Sequence, residues 1–312
     1  MIKINAKPTI LLSLILFFFL VSGCAVMKKN LPSWESYNDA DSGGDKEPIT
    51  LAYQSVGEGD PILFIHGFGA SSYSWRYLTE PLSQNRRVIT IDLKGFGQSP
   101  KPRDGLYSIY EQARLVRDFI LAQDLQNLTI IGHSYGGGVA LLTSIQLSKL
   151  QPKRQKDLIL IGNAAYPQKL PSFMRILATP ILGPMVLYWA PNKIQVHSLL
   201  KKVYFKDDLI PEAAIDHYAK NMGQENAKYA TLQIARQLMP GDMEVVTKQY
   251  TEVTVPTLII WGSQDEIISP EIGKRLNAAL PNSRLIMLDD VGHAPQEERP
   301  DLILPQIKEF LQ

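Results

Sequence analysis

One hydroxyl stands among residues with little or no side chain in Gly132-His133-Ser134-Tyr135-Gly136, which runs on into Gly137 and Gly138. The pentapeptide has the form G-x-S-x-G. The residues before it, from Leu128, are apolar or β-branched and read as a buried strand; those after it, through Leu147, read as a helix. A serine at a sharp strand-to-helix turn holds its oxygen outward, and flanking glycines let neighbouring backbone come close. Such a serine is placed to be a nucleophile. Its hydroxyl is a poor one at neutral pH, so the chemistry also needs a base, usually histidine, held by a carboxylate.

The chain has five histidines. His66 and His133 lie in glycine-rich turns and read as structural, with the His133 ring turned away from the serine. His197 and His217 lie in a separate segment described below. His293, in "LDDVGHAPQEERP", follows the last strand-like run and is the candidate base. Asp265, in "TLIIWGSQDEIISP", follows another such run and is the candidate acid. Glu266 is adjacent to it, Asp265 also suits a helix N-terminus, and Asp289 and Asp290 suit a turn. A carbonyl under attack develops negative charge on oxygen, which backbone N–H groups must meet. Tyr135 supplies one candidate, at a helix start where N–H groups lack partners. Phe68, in "HGFG", supplies the other.

The elements that would hold these residues alternate. "PILFIHG" (61–67), "RVITID" (87–92), "LTIIGHS" (128–134), "DLILIG" (157–162), "TLIIWG" (257–262) and "RLIMLD" (284–289) are short apolar runs, and "ITLAYQSVG" is a further strand candidate. Near-continuous apolar runs indicate strands covered on both faces, as in a parallel sheet. Helical patterns lie between them. Ser108 and Glu111 have capping-box spacing; Ile109, Ala113, Val116 and Ile120 share one face; Pro300 suits the start of a terminal helix. Alternation of this kind predicts a three-layer α/β fold. The alternation fails between 165 and 254. There "LPSFMRILATPILGPMVLYWAP" is apolar but broken by Pro171, Pro180, Pro184 and Pro191, which reads as short helices of an inserted cap over the strand ends. The core is then 49–164 plus 255–312. With 312 residues, 45 % of them apolar, the chain can bury one large core; its formal charge of +1 gives no electrostatic reason to expect nucleic acid.

"HGFGASSYSW", "DLKGFGQSPKP", "GHSYGG", "WGSQDEIIS" and "GHAPQEERP" follow one another in that order. Together they resemble the α/β-hydrolase fold superfamily, and within it the branch of carbon–carbon bond hydrolases, small esterases, epoxide hydrolases and haloalkane dehalogenases. The last two use an aspartate nucleophile, from which Ser134 departs. The resemblance implies a Ser134–Asp265–His293 triad, an oxyanion hole from the Phe68 and Tyr135 amides, an acyl-enzyme, and no cofactor or metal. It gives Asp92 a structural role.

The N-terminus has a different character. Lys3 and Lys7 precede an apolar run from Ile10 to Val21, which ends at Ser22-Gly23-Cys24. This is a signal-peptide pattern, and Val21 to Cys24 resembles the lipobox of bacterial lipoproteins. The resemblance implies removal of residues 1–23 and lipidation of Cys24, the single cysteine of the chain. An uncleaved anchor is the plainer alternative. Residues 24–48, with "SYNDADSGGDKEP", read as anchor and flexible tether. Ala25, where inner-membrane retention favours aspartate, points to the outer membrane of an organism that has one. The expected protein is a hydrolase of the cell envelope, membrane-held through its N-terminal lipid, acting on a small apolar ester-like substrate. Its cap suggests an acyl pocket or a membrane-facing lid. A diketone carbon–carbon hydrolase is the rival of the same class, and a non-catalytic binding lipoprotein the rival of another.

Overall fold

The computed structural model describes residues 33–38 and 49–312. Cys24 and the signal-peptide stretch lie outside the described residues.

Among the described residues, seven strands form one sheet in the order β1-β3-β2-β4-β5-β6-β7. They are β1 (Tyr53–Val56), β2 (Pro61–Ile65), β3 (Arg87–Ile91), β4 (Leu128–His133), β5 (Gln155–Ile161), β6 (Thr257–Gly262) and β7 (Ser283–Leu288). Only β1 runs antiparallel, pairing Tyr53 with Ile91 at one edge. The other neighbours are parallel. Every residue of β2, β4 and β6 is buried. Side chains alternate between the two faces, so one strand feeds two cores. Leu63 and Ile65 of β2 join one apolar cluster, with Ile130, Leu160 and Trp261. Ile62 and Phe64 join the other, with Ile131, Ile159 and Ile260. Each such side chain contributes roughly 1.5–3 kcal/mol of burial, which is why these runs tolerate no polar alternation.

Helices cover both faces. α2 (Arg76–Ser83) and α13 (Pro300–Phe310) line one core; α3 (Ile109–Ala122) and α4 (Ser134–Leu150) line the other. The Ser108 hydroxyl caps α3 by accepting from the Glu111 N–H, and Pro300 opens α13, both as the sequence predicts. The architecture is a three-layer α/β-hydrolase fold with a mostly parallel sheet.

Between β5 and β6 the chain makes six α-helices: α5 (Ser172–Ala178), α6 (Leu182–Trp189), α7 (Asn192–Val203), α8 (Glu212–Met222), α9 (Ala227–Gln237) and α10 (Met243–Thr247); α11 (Pro270–Ala279) follows β6 and α12 (Pro295–Glu298) follows β7. Pro171, Pro180 and Pro191 fall between helices, where their missing N–H costs nothing; Pro184 fits in the first turn of α6. Within the segment expected over 165–254, Ala165 and Tyr166 at one end, Met243, Val246, Tyr250 and Val253 at the other, and Ala230 and Ile234 of α9 pack into the sheet's own core. The Tyr250 hydroxyl donates to the Ala165 carbonyl and ties the two ends together.

The tether expected over 24–48 needs a correction. Trp34–Asn38 is a short helix, α1, whose Trp34 and Tyr37 are buried against Tyr110. Asp242 accepts from the Trp34 backbone N–H at 2.9 Å, and Gln249 accepts from its indole N–H at 3.0 Å. Two aromatics in an otherwise polar segment outweigh its composition, because each large ring buries 150–250 Å² in general. Among the described residues, no helix is long and apolar enough to cross a membrane.

Candidate active site

The sheet's topology brings three loops to one edge. Ser134 follows β4, Asp265 follows β6 and His293 follows β7. Parallel strands all point the same way, so residues far apart in sequence meet just past their carboxyl ends. The Ser134 hydroxyl donates to His293 Nε2 at 2.8 Å. The His293 Nδ1–H donates to Asp265 Oδ2 at 2.7 Å. A buried carboxylate at that distance only accepts, which fixes the proton on Nδ1 and leaves Nε2 free to take one.

The serine sits on a strained turn. Its φ is +52°, in the left-handed region that costs a residue with a Cβ about 1–2 kcal/mol. The turn needs both flanking glycines. A Cβ on Gly132 would stand 2.6 Å from the Gly136 carbonyl oxygen, and one on Gly136 would drive into the His66 carbonyl. The glycines therefore let the turn close against the loop that follows β2.

Asp265 is fully shielded and held on both oxygens, because Oδ1 also accepts from the Ile267 and Ile268 N–H groups, each at 2.9 Å. The helix-start reading and the acid reading thus describe one residue with two partners. Glu266, Asp289 and Asp290 are exposed and do not reach the histidine. Tyr135 lies in the first turn of α4, and its N–H has no acceptor inside the helix. The loop carrying Phe68 lies against the serine: a Cβ on the adjacent Gly67 would be 3.2 Å from Ser134 Cβ.

The other histidines have other duties. His66 Nε2 accepts from the Leu93 N–H at 3.0 Å, and its Nδ1–H donates to the Gly67 carbonyl at 2.8 Å. Burial pulls its pKa below the ordinary 6.5. Asp92 accepts from the Ser72 and Gln98 N–H groups and pins the same region, which is a structural task. The His133 ring packs 4.9 Å from the His293 ring, and its Nε2–H donates to the His293 carbonyl at 2.8 Å, so it braces the loop of the candidate base. Burial, with His293 beside it, holds His133 well below its ordinary pKa. His197 is exposed, and His217 stacks on Tyr73 at 4.0 Å.

Two residues that the sequence does not single out complete the frame. Glu298 Oε2 accepts from the Gly292 N–H at 2.8 Å, while Oε1 accepts from the Phe205 N–H at 3.1 Å. It joins the histidine loop to the end of α7. Glu297 is ion-paired with Arg76 at 2.7 Å and accepts from the Ser74 and Tyr218 hydroxyls. Their only sequence signal is two acids beside His293, which read equally well as solvated charges.

A cavity of about 420 Å³ opens over Ser134 and His293. Phe173, Leu177, Leu187, Val196 and Leu200 of the inserted helices wall it. That volume lies in the range of small-molecule sites. Among the described residues, no group of three His, Cys, Asp or Glu side chains is placed to hold a metal.

Known proteins are similar to this chain in sequence and in fold. An uncharacterized hydrolase, YugF of Bacillus subtilis (strain 168), is 32% identical over 260 residues, 83% of this chain and 92% of its own. Lipase 3 of Moraxella sp. (strain TA144) is 28% identical over 263 residues, 82% of this chain and 78% of its own. The crystal structure of a putative lipase from Acinetobacter baumannii AYE superposes with a TM-score of 0.71 at 26% identity, covering 91% of this chain and 97% of that one. A family model described as "Alpha/beta hydrolase family" matches residues 62–306. That span runs from within β2 into α13 and includes all three side chains of the hydrogen-bonded chain at the sheet edge. The protein belongs to the alpha/beta hydrolase family.

Proposed function

We propose that the protein is a serine hydrolase that cleaves carboxylic esters with an apolar acyl group. The observation that carries this reading is the continuous Ser134–His293–Asp265 hydrogen-bonded chain at the floor of an apolar cavity. His293 Nε2 takes the Ser134 proton as the oxygen attacks the ester carbonyl carbon. The Phe68 and Tyr135 amides stabilise the oxyanion of the tetrahedral intermediate, and Asp265 stabilises the imidazolium. As the intermediate collapses, His293 gives its proton to the departing alkoxide, which leaves as an alcohol, and the acyl group stays on Ser134. Water, deprotonated by His293, then releases the carboxylic acid and restores the serine. The lipase names of relatives in Moraxella and Psychrobacter support an ester substrate. The proposal extends to the N-terminus, where the lipobox-like end at Cys24 supports a lipid anchor in the cell envelope.

The test is hydrolysis of p-nitrophenyl esters of increasing acyl length by the wild type and by Ser134→Ala. A rate that peaks at one chain length and is lost in the variant, by at least about 10³-fold, agrees with the proposal. Folded protein that turns over no ester and takes no label from a fluorophosphonate would overturn it. Cleavage of a vinylogous diketone without ester turnover would reassign the same serine to carbon–carbon hydrolysis.

A further inference from the structure

The inserted helices carry an apolar face that no other part of the described chain covers. In α6, Gly183 and Leu187 are buried, while Leu182, Met185, Tyr188 and Trp189 are exposed. At 100° per residue the two sets fall on opposite sides of the helix. Ile181 before the helix and Ile194 in α7 extend the exposed set. Trp189 is 80% exposed and Ile194 61%. Contiguous apolar exposure of this kind marks an interaction surface, and a tryptophan–tyrosine pair on it suits the boundary between water and lipid.

The stretch that carries this face is basic, although Lys193 pairs with Asp216 and Lys201 with Asp207. From 165 to 206 the chain carries Lys169, Arg175, Lys193, Lys201, Lys202 and Lys206 and not one Asp or Glu, although the whole chain is almost neutral. Lys228 adds a further cation beside the Tyr188 ring. An apolar face within a basic segment is complementary to an apolar partner with an anionic surface.

The face is also continuous with the cavity. Ile176, Val186 and Ile194 are exposed on the outside and line the cavity within. A protein seated on this face would close the mouth of the site, whereas a bilayer would leave its acyl layer in contact with the mouth.

We infer that this face docks the cap on an anionic phospholipid bilayer, with Trp189 at the interface and the cavity opening toward the acyl chains. The inference does not depend on turnover, and neither does its test. The chain has four tryptophans, and Trp34, Trp75 and Trp261 are each 0% exposed. Emission that an aqueous quencher can reach therefore reports Trp189. The full chain is mixed with vesicles of equal parts phosphatidylglycerol and phosphatidylcholine bearing brominated acyl chains, with Trp189→Phe in parallel. The expected result is that Trp189 loses its access to acrylamide and is quenched by bromine, and that the Phe variant shows neither change. Three results would overturn the inference. One is protein that sediments with the vesicles while Trp189 stays open to acrylamide, because it is then held only by its N-terminus. Another is no sedimentation at all. The third is Trp189 protected without vesicles, which would assign the face to a second copy of the chain. Equal quenching on phosphatidylcholine alone would remove the anionic requirement.

Discussion

The backbone N–H of His293 donates to the carbonyl of Val203 at 2.7 Å. Val203 is the last residue of α7, so the inserted helices hold the candidate base directly. Glu298 strengthens the link, with one oxygen on Gly292 and the other on Phe205. Removing that carboxylate leaves the Gly292, Phe205 and Lys206 N–H groups without their acceptor and frees the loop that carries the imidazole. Glu298→Ala should lower kcat roughly 10- to 100-fold with little change in KM, because misplaced geometry costs turnover more than binding. It should also lose about 2 kcal/mol of stability. Glu298→Gln keeps one acceptor and should recover part of both, as read from steady-state kinetics and urea unfolding.

The strain at Ser134 makes a second prediction. Both Ser134→Ala and Ser134→Gly should be inactive, but they should differ in stability. Glycine adopts φ of +52° freely, whereas alanine does not. The Gly variant should be more stable than the Ala variant by about 1 kcal/mol, even though glycine also gives the unfolded chain more freedom. Denaturant midpoints of the two proteins, measured side by side, check this. Equal midpoints would mean that the turn stores no strain.

The buried histidines set an acid limit. His66 and His133 have pKa values below the ordinary 6.5, chiefly because burial disfavours the charged ring. Above that value both rings are neutral in the folded and unfolded chains, and pH has no leverage through them. Below it the unfolded chain binds protons that the folded one refuses. Stability should then fall by about 1.4 kcal/mol per pH unit for each ring until its folded pKa is reached. Urea unfolding at pH 7.5, 6.5 and 5.5 should show a flat upper step and a steep lower one. His133→Asn should make the lower step shallower.

Cys24 provides a prediction about location. In a host that processes lipoproteins, the wild type should be recovered in the membrane fraction with a mass that includes lipid. Cys24→Ser should lose that mass. Lipid-modified protein recovered from the Ser variant would refute the anchor.

Much of this could be read in the sequence because its determinants are local. β2, β4 and β6 declare themselves as apolar runs, and Ser134, Asp265 and His293 each sit just beyond one. Topology then brings them together without further information. What escaped the sequence depends on pairings between distant backbone groups. The Val203 carbonyl and the two carboxylate oxygens of Glu298 carry no pattern that distinguishes them from a loop and a solvated acid. His133 looked like a turn residue because its acceptor, the His293 carbonyl, lies 160 positions away. Trp34 was hidden by its polar neighbours, although one indole with two hydrogen bonds is enough to dock a helix of five residues.

That docked indole shortens the leash. If lipid is attached at Cys24, only the stretch from Cys24 to Trp34 separates it from a fixed point on the domain. A fully extended chain covers about 3.3–3.6 Å per residue, so the domain cannot stray more than roughly 35 Å from its anchor. A leash running to residue 48 would more than double that radius. The enzyme would therefore search a thin layer rather than a volume, at the high effective concentration that a short linker imposes. Loosening Trp34 would dilute it without touching a single residue of the candidate active site.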